Sequence, residues 1–164
     1  MKVRMVASLM AGLACMLVVA QAAQAKADNL IVPGQRIGHI RIGMLLDEFV
    51  STAGQPNTRR TDESVPGRRI LRYYYSGWSA DLLDVAAPWV CAIYVSSPQW
   101  NTESGLRVGD SVFDMTRKQG SNYRSVEGLN GLHFVTYDTG LRVNLRNRRI
   151  IEMTVVYPGR SCID

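Results

Sequence analysis

Histidine and cysteine are scarce in this sequence, and that scarcity narrows its chemistry at once. The 164 residues hold two histidines, His39 and His133, and three cysteines. Residues of these two types placed so far apart do not make a zinc site, so no metal is expected. No Gly-x-Ser-x-Gly, His-Glu-x-x-His, glycine-rich phosphate loop or EF-hand spacing occurs. Asp138 follows His133 by five residues, a spacing that sets the two on opposite faces of a strand. No nucleophile accompanies either histidine. The acidic residues are scattered, and the pair Asp47 and Glu48 opens a helical pattern, where it complements the helix dipole. The expectation is a protein with no catalytic residue and no cofactor.

A hydrophobic run of transmembrane length is also missing. Residues 5–20 are almost wholly apolar, short of the 18 or more residues of a span. Lys2 and Arg4 precede the run, and Ala23, Gln24 and Ala25 follow it with small residues at −3 and −1. This is the grammar of a secretory signal peptide, residues 1–25, cleaved near Ala25. A lipid attachment at Cys15 does not fit, because Gly12 stands where a large aliphatic residue belongs.

Removing that leader changes the remaining counts. Residues 26–164 carry 17 Lys and Arg against 14 Asp and Glu, a net of +3. The doublets at 59–60, 68–69 and 148–149 would suit nucleic acid in a cytoplasmic protein. Export to the periplasm or the medium argues against that partner. Weak contact with an anionic membrane surface remains an expectation of such a charge. Two cysteines are left, Cys91 and Cys162, and an oxidising compartment favours a bridge between them. Closing a loop of about 72 residues is worth roughly 4 kcal/mol in the chain-entropy model.

Residues 40–57 and 106–123 share a pattern at an offset of 66. In the first, Ile40 and Ile42 flank Arg41, Gly43 follows, and Leu46, Phe49, Val50 and Ala53 form an i, i+3, i+4, i+7 stripe. Gly54 and Pro56 then end the helix. In the second, Leu106, Arg107 and Val108 precede Gly109, residues 111–114 resemble a capping box, and Gly120 is the stop. Residues 77–83 align with 140–146, and 90–98 with 150–158, all rich in β-branched and aromatic side chains. The expected fold class is therefore α+β. It is a tandem duplication in which each unit is a short helix followed by a three- to four-stranded antiparallel meander. The units span residues 30–98 and 102–160 and pack as one compact domain, with 96–105 as linker and 58–69 as a polar surface loop.

Gly43, Met44, Gly54 and Pro56 resemble the helix-entry and helix-exit pattern of a known group. It comprises the SmpA/OmlA-type outer-membrane assembly lipoproteins and the tandem-repeat β-lactamase inhibitory proteins. Asp110 and Asn122 replace the Met and Pro in the second copy. The resemblance implies helices layered on a sheet, used to bind other proteins without catalysis.

Strand alternation predicts that Trp78, Ala80 and Leu82, with Leu141, Val143 and Leu145, meet the helices. The opposite face should be polar. Tyr, Trp and Arg form most interface hot spots, so Tyr73, Tyr75, Arg142 and Arg146 are the expected binding residues on that open face. The expected function is an exported, non-catalytic protein–protein interaction module whose partner is another envelope or secreted protein. The alternative is a small-ligand-binding protein or hydrolase with a pocket between the two units.

Overall fold

The computed structural model describes residues 28–64, 66–158 and 162; the expected signal peptide lies outside them. Twelve strands and two helices follow in order. They are β1 (Leu30–Val32), β2 (Arg36–Ile37), β3 (Ile40–Arg41), α1 (Leu46–Ala53), β4 (Thr58–Asp62), β5 (Ile70–Tyr75), β6 (Trp78–Leu83), β7 (Trp89–Val95) and β8 (Asn101–Thr102). After these come α2 (Val112–Gln119), β9 (Arg124–Glu127), a 3-10 turn at Leu129–Gly131, β10 (Leu132–Thr136), β11 (Leu141–Arg146) and β12 (Arg149–Val156).

The architecture corrects the α+β expectation. Strands take 45% of the described residues and helix only 15%, so the protein is predominantly β, built on two sheets and not on repeated helix-plus-meander units. One sheet has eight strands in the order β4-β5-β6-β7-β12-β11-β10-β9; the other has four, β3-β2-β1-β8. Three physical reasons account for the difference. Each helix closes after eight residues, about two turns, because Gly54 and Gly120 take positive φ of 75° and 89°. The segment expected as a linker supplies β8, which runs parallel to β1 with Asn101 opposite Leu30. The polar stretch after α1, expected as a loop, is the edge strand β4, held opposite β5 from Thr58↔Tyr74 to Asp62↔Ile70.

Both helices form where the sequence places them, α1 on its apolar stripe and α2 between its capping box and Gly120, but their N-termini are satisfied differently. Ser111 and Asp114 make a reciprocal capping box on α2. Leu45 caps α1 without a side-chain bond; the Leu46 N–H instead donates to the Pro88 carbonyl at 2.9 Å. Phe49 and Met115 are the fully buried anchors of α1 and α2. They join Ile31, Ile37 and Ile40 of the small sheet against Ala80, Leu82, Ile93, Val143 and Met153. Thus helices and small sheet cover the same face of the large sheet. The turn before β2 presses on the turn between β10 and β11. A Cβ on Gly140 would stand 2.7 Å from Gly34 Cα and 2.4 Å from the Val156 carbonyl oxygen, so only glycine fits.

The opposite face has its own cover. Cys91 and Cys162 form a disulfide, with Cα atoms 5.6 Å apart. Cys162 lies buried with Ile70, Cys91, Ala92 and Val156, and Leu83, Trp89 and Tyr94 pack around them. Replacing both cysteines with serine should lower unfolding stability by about 2–5 kcal/mol. Denaturant melts of the double variant and of oxidised wild type check this; coincident midpoints would show that the bridge adds nothing.

Candidate functional site

Register decides which side chains share the face that carries no helix. In an antiparallel ladder directly opposed residues point to the same side. One row therefore crosses the whole large sheet with one residue per strand. It runs Arg124, Thr136, Arg142, Thr154, Tyr94, Ser79, Tyr74 and Thr58, from β9 to β4. At strand spacings of about 4.8 Å it extends some 33 Å.

The sequence-expected binding residues do not meet on it. Tyr73 and Tyr75 sit opposite Ala80 and Trp78, on the helix-bearing face. Tyr73 is 4% exposed, its ring edge-on to Phe49 with centroids 5.4 Å apart. Tyr75 stacks on Trp78 at 4.1 Å, and its hydroxyl donates to the Gly54 carbonyl oxygen at 3.2 Å. Both serve the helix–sheet contact. Arg142 and Arg146 do lie on the helix-free face, Arg142 partly buried in the row and Arg146 exposed at the end of β11. The reason for the split is the two-residue turn at Ser76 and Gly77, which sets Tyr75 opposite Trp78. That turn was the available signal, and Tyr74 is the tyrosine that joins the arginine face.

Beside the row lies a polar cluster that composition alone did not reveal. Asp81 is fully buried, and Arg72 grips it with two bonds, Nε to Oδ1 at 2.5 Å and Nη2 to Oδ2 at 2.6 Å. The Tyr94 hydroxyl donates to Asp81 Oδ2 at 2.8 Å, and the Arg72 guanidinium stands 4.9 Å from the Tyr94 ring centre. The bond to Asp81 raises the Arg72 pKa against the opposing effect of burial. Burial first, and the neighbouring carboxylate second, push the Tyr94 phenol upward. One strand further on, Asn144 Nδ2 donates to Glu152 Oε1 at 2.8 Å, and desolvation raises the Glu152 carboxyl despite that bond. Arg72, Asp81, Tyr94, Asn144 and Glu152 are each bonded to a neighbour within the sheet, so the cluster is suited to fixing strand register and shaping the face.

The two ends of this face differ. Toward β5–β7 the disulfide-tethered residue Cys162 closes it. Toward β9–β11 it is open: Val126, 66% exposed, opposes Phe134, 41% exposed, and the adjoining turn carries Leu129, 84% exposed. Arg124, Arg142 and Arg146 surround these apolar groups, and Arg124 pairs with Asp138 at 3.1 Å. His133 lies on the other face, between Glu127 and Leu145. Among the described residues no group of three His, Cys, Asp or Glu could hold a metal ion.

Grooves flank the helix-bearing side. One of about 660 Å³ runs between α1 and β4, lined by Leu46, Val50, Pro56, Arg59 and Tyr73 among others. Another of about 360 Å³ lies where the small sheet meets the C-terminal end of α1, between Trp78 and Trp100 with His39 at its lining.

No family model and no curated protein matches this chain. Among solved structures, an extracellular protein containing a SCP domain from Bacillus anthracis str. Ames is similar at 14% identity and a TM-score of 0.45. The match covers 71% of this chain and 44% of that one, so this chain spans less than half of that protein. Similarity at that level carries no argument about function.

Two measurements probe the cluster. Asp81→Ala leaves the Arg72 charge partly buried and unpaired, and should cost about 3 kcal/mol, whereas replacing both residues by apolar ones of similar size should recover most of the loss. Denaturant melts of the three proteins test this, and equal losses in single and double variants would contradict it. For Glu152, the folded pKa lies above the ordinary 4.5, so the folded state favours the protonated form. Its stabilising effect is complete below the unfolded pKa and fades as pH rises through the folded one. Glu152→Gln keeps the acceptor for Asn144, so in denaturant melts across pH its stability relative to wild type should rise with pH between the unfolded and folded pKa values and stay level below and above them; a pH-independent difference would contradict this.

Proposed function

We propose that the protein is exported and acts as a non-catalytic protein–protein interaction module, working in the periplasm or the external medium on another envelope or secreted protein. The observation that carries this reading is the open β9–β11 end of the helix-free face. Val126 and Phe134 stand uncovered there within a frame of Arg124, Arg142 and Arg146. An apolar centre rimmed by arginine is the composition of an interface hot spot. The Cys91–Cys162 disulfide supports the compartment, since such bonds persist where the medium is oxidising. The resemblance carried by Gly43, Met44, Gly54 and Pro56 points to the same use. Lysozyme-type targets are disfavoured, because a basic partner is repelled by a chain of net charge +3.

A second reading, a small-ligand binder, draws on one observation. Trp100 lines the smaller groove, and its Nε1 is buried with no hydrogen-bond partner among the described residues. A ligand with an acceptor would satisfy that donor.

The test uses oxidised residues 26–164, immobilised and exposed to envelope extract at two salt concentrations, followed by titration with the purified captured protein. The expected result is a saturable partner that survives higher salt and loses about tenfold or more in affinity with Phe134→Asp, a hot-spot-sized effect. An unchanged melting midpoint would show that the variant still folds. Undiminished affinity in Phe134→Asp would overturn the site. Capture of anionic lipid alone, released by salt, or of no macromolecule, would overturn the module reading.

A further inference from the structure

The strand β4 is one of the two edges of the large sheet, β9 being the other. It pairs with β5 on one side only, and Thr58, Arg59, Arg60 and Thr61 are all exposed. Charged residues on an edge discourage unwanted strand addition, and arginines here oppose strands of like charge. Three further observations give the edge a positive specificity. The first is the groove of about 660 Å³ beside it, whose apolar walls come from Leu46 and Val50 of α1 with Pro56 and Tyr73. The second is alternation. Arg59 opposes Tyr73 and so faces the groove, while Arg60 opposes Arg72 and faces the other side. Two guanidiniums therefore flank the open edge from both faces. The third is their pairing. Arg36, Arg69, Arg72 and Arg117 each hold a carboxylate, but neither Arg59 nor Arg60 has one among the described residues. Arg60 only rests near the Tyr74 ring, 5.8 Å from its centre.

We propose that β4 accepts an extended acidic peptide segment as a ninth strand of the large sheet. Two adjacent acidic residues of the guest point to opposite faces and so meet Arg59 and Arg60 together. An apolar residue on the groove side enters between α1 and β4. Backbone bonds to the edge supply affinity, and the alternating side chains supply selectivity. A second copy of this chain is a poor occupant. Antiparallel self-pairing centred at Arg60, or between Arg59 and Arg60, sets cation against cation.

The probe is a blocked peptide, Thr-Val-Glu-Glu-Thr-Val-Thr, titrated into ¹⁵N-labelled oxidised residues 26–164. Slowed hydrogen exchange of the β4 amides is expected, with little change at β9. Reversing the charges with Arg59→Glu and Arg60→Glu should weaken binding by about tenfold or more, because each exposed pair contributes up to about 1 kcal/mol and is replaced by repulsion. The same variant should then prefer a peptide carrying Lys-Lys in place of Glu-Glu. A peptide N-methylated at alternate amides keeps its charge but cannot join a sheet, and it should not bind. Equal binding of the N-methylated peptide, or affinity unchanged by the charge reversal, would overturn strand addition at β4. Phe134→Asp should leave this binding intact, which separates the edge from the β9–β11 face.

Discussion

The pairing of β7 with β12 is the contact on which the rest of the molecule depends. It joins two four-stranded runs into one sheet, with Val95 opposite Met153, Ile93 opposite Val155 and Ala92 opposite Val156. These residues are apolar on both faces and almost wholly buried. Burying a Val, Ile or Met side chain contributes about 1.5–3 kcal/mol, so the junction is held strongly only if both faces are kept dry. On one face Phe49, Met115 and the isoleucines of the small sheet do this. On the other no helix lies among the described residues, and Cys162 is drawn in beside Ala92 and Val156. The disulfide therefore belongs to the same constraint as the helices: it covers the side of the central strands that they leave bare.

Where the ladder reaches that cover it is adjusted by one residue. Asp81 opposes Ala92 and Leu82 opposes Val90, so Cys91 is the extra residue of a β-bulge. A bulge turns a side chain away from strict alternation, and here the residue so released is the one that makes the disulfide. The neighbouring Arg72–Asp81–Tyr94 cluster sits beside this irregularity. A buried carboxylate held by a guanidinium fork tolerates no slip of register, because a shift by one residue would expel Arg72 to the opposite face. Polar pairing and the bulge thus specify one alignment at a place where apolar residues alone would allow several.

The sequence made some of this legible and hid the rest for definable reasons. The helices, their glycine stops and the capping box at Ser111 and Asp114 were readable because an amphipathic stripe and a cap are local signals. The strands 78–83, 90–95 and 141–146 were readable from β-branched and aromatic content. The turn before β12 is a tight hairpin in which Asn147 and Arg148 take φ of 51° and 61°. The small sheet was not readable, since two- and three-residue strands carry no periodicity and β1 finds its parallel partner some seventy residues away. β4 and β9 were hidden because almost every residue in them is exposed. The face of Tyr73 and Tyr75 was missed although the Ser76–Gly77 turn fixed it. Asp81 alternates with Ala80 and Leu82 and so falls on the other face, but its burial depends on Arg72 and Tyr94 from neighbouring strands, and no local pattern announces such a meeting.

The arginines divide into those held by the fold and those left exposed at its surface. Arg36, Arg69, Arg72 and Arg117 answer carboxylates of the fold, and Arg149 donates to the Gly109 carbonyl. The net charge of +3 is the remainder after such pairings. Much of it falls at two separated places, the β4 edge with Arg59 and Arg60 and the β11–β12 turn with Arg146 and Arg148, all exposed. Arginine suits both, since its planar fork binds carboxylates while its stem covers apolar surface. Fields from exposed charges are screened within about 8 Å at physiological salt, so each place acts on what already touches it. What the charge selects must then be held by the surface beside it: a groove and an open backbone at β4, and bare Val126 and Phe134 within the sheet face near the other.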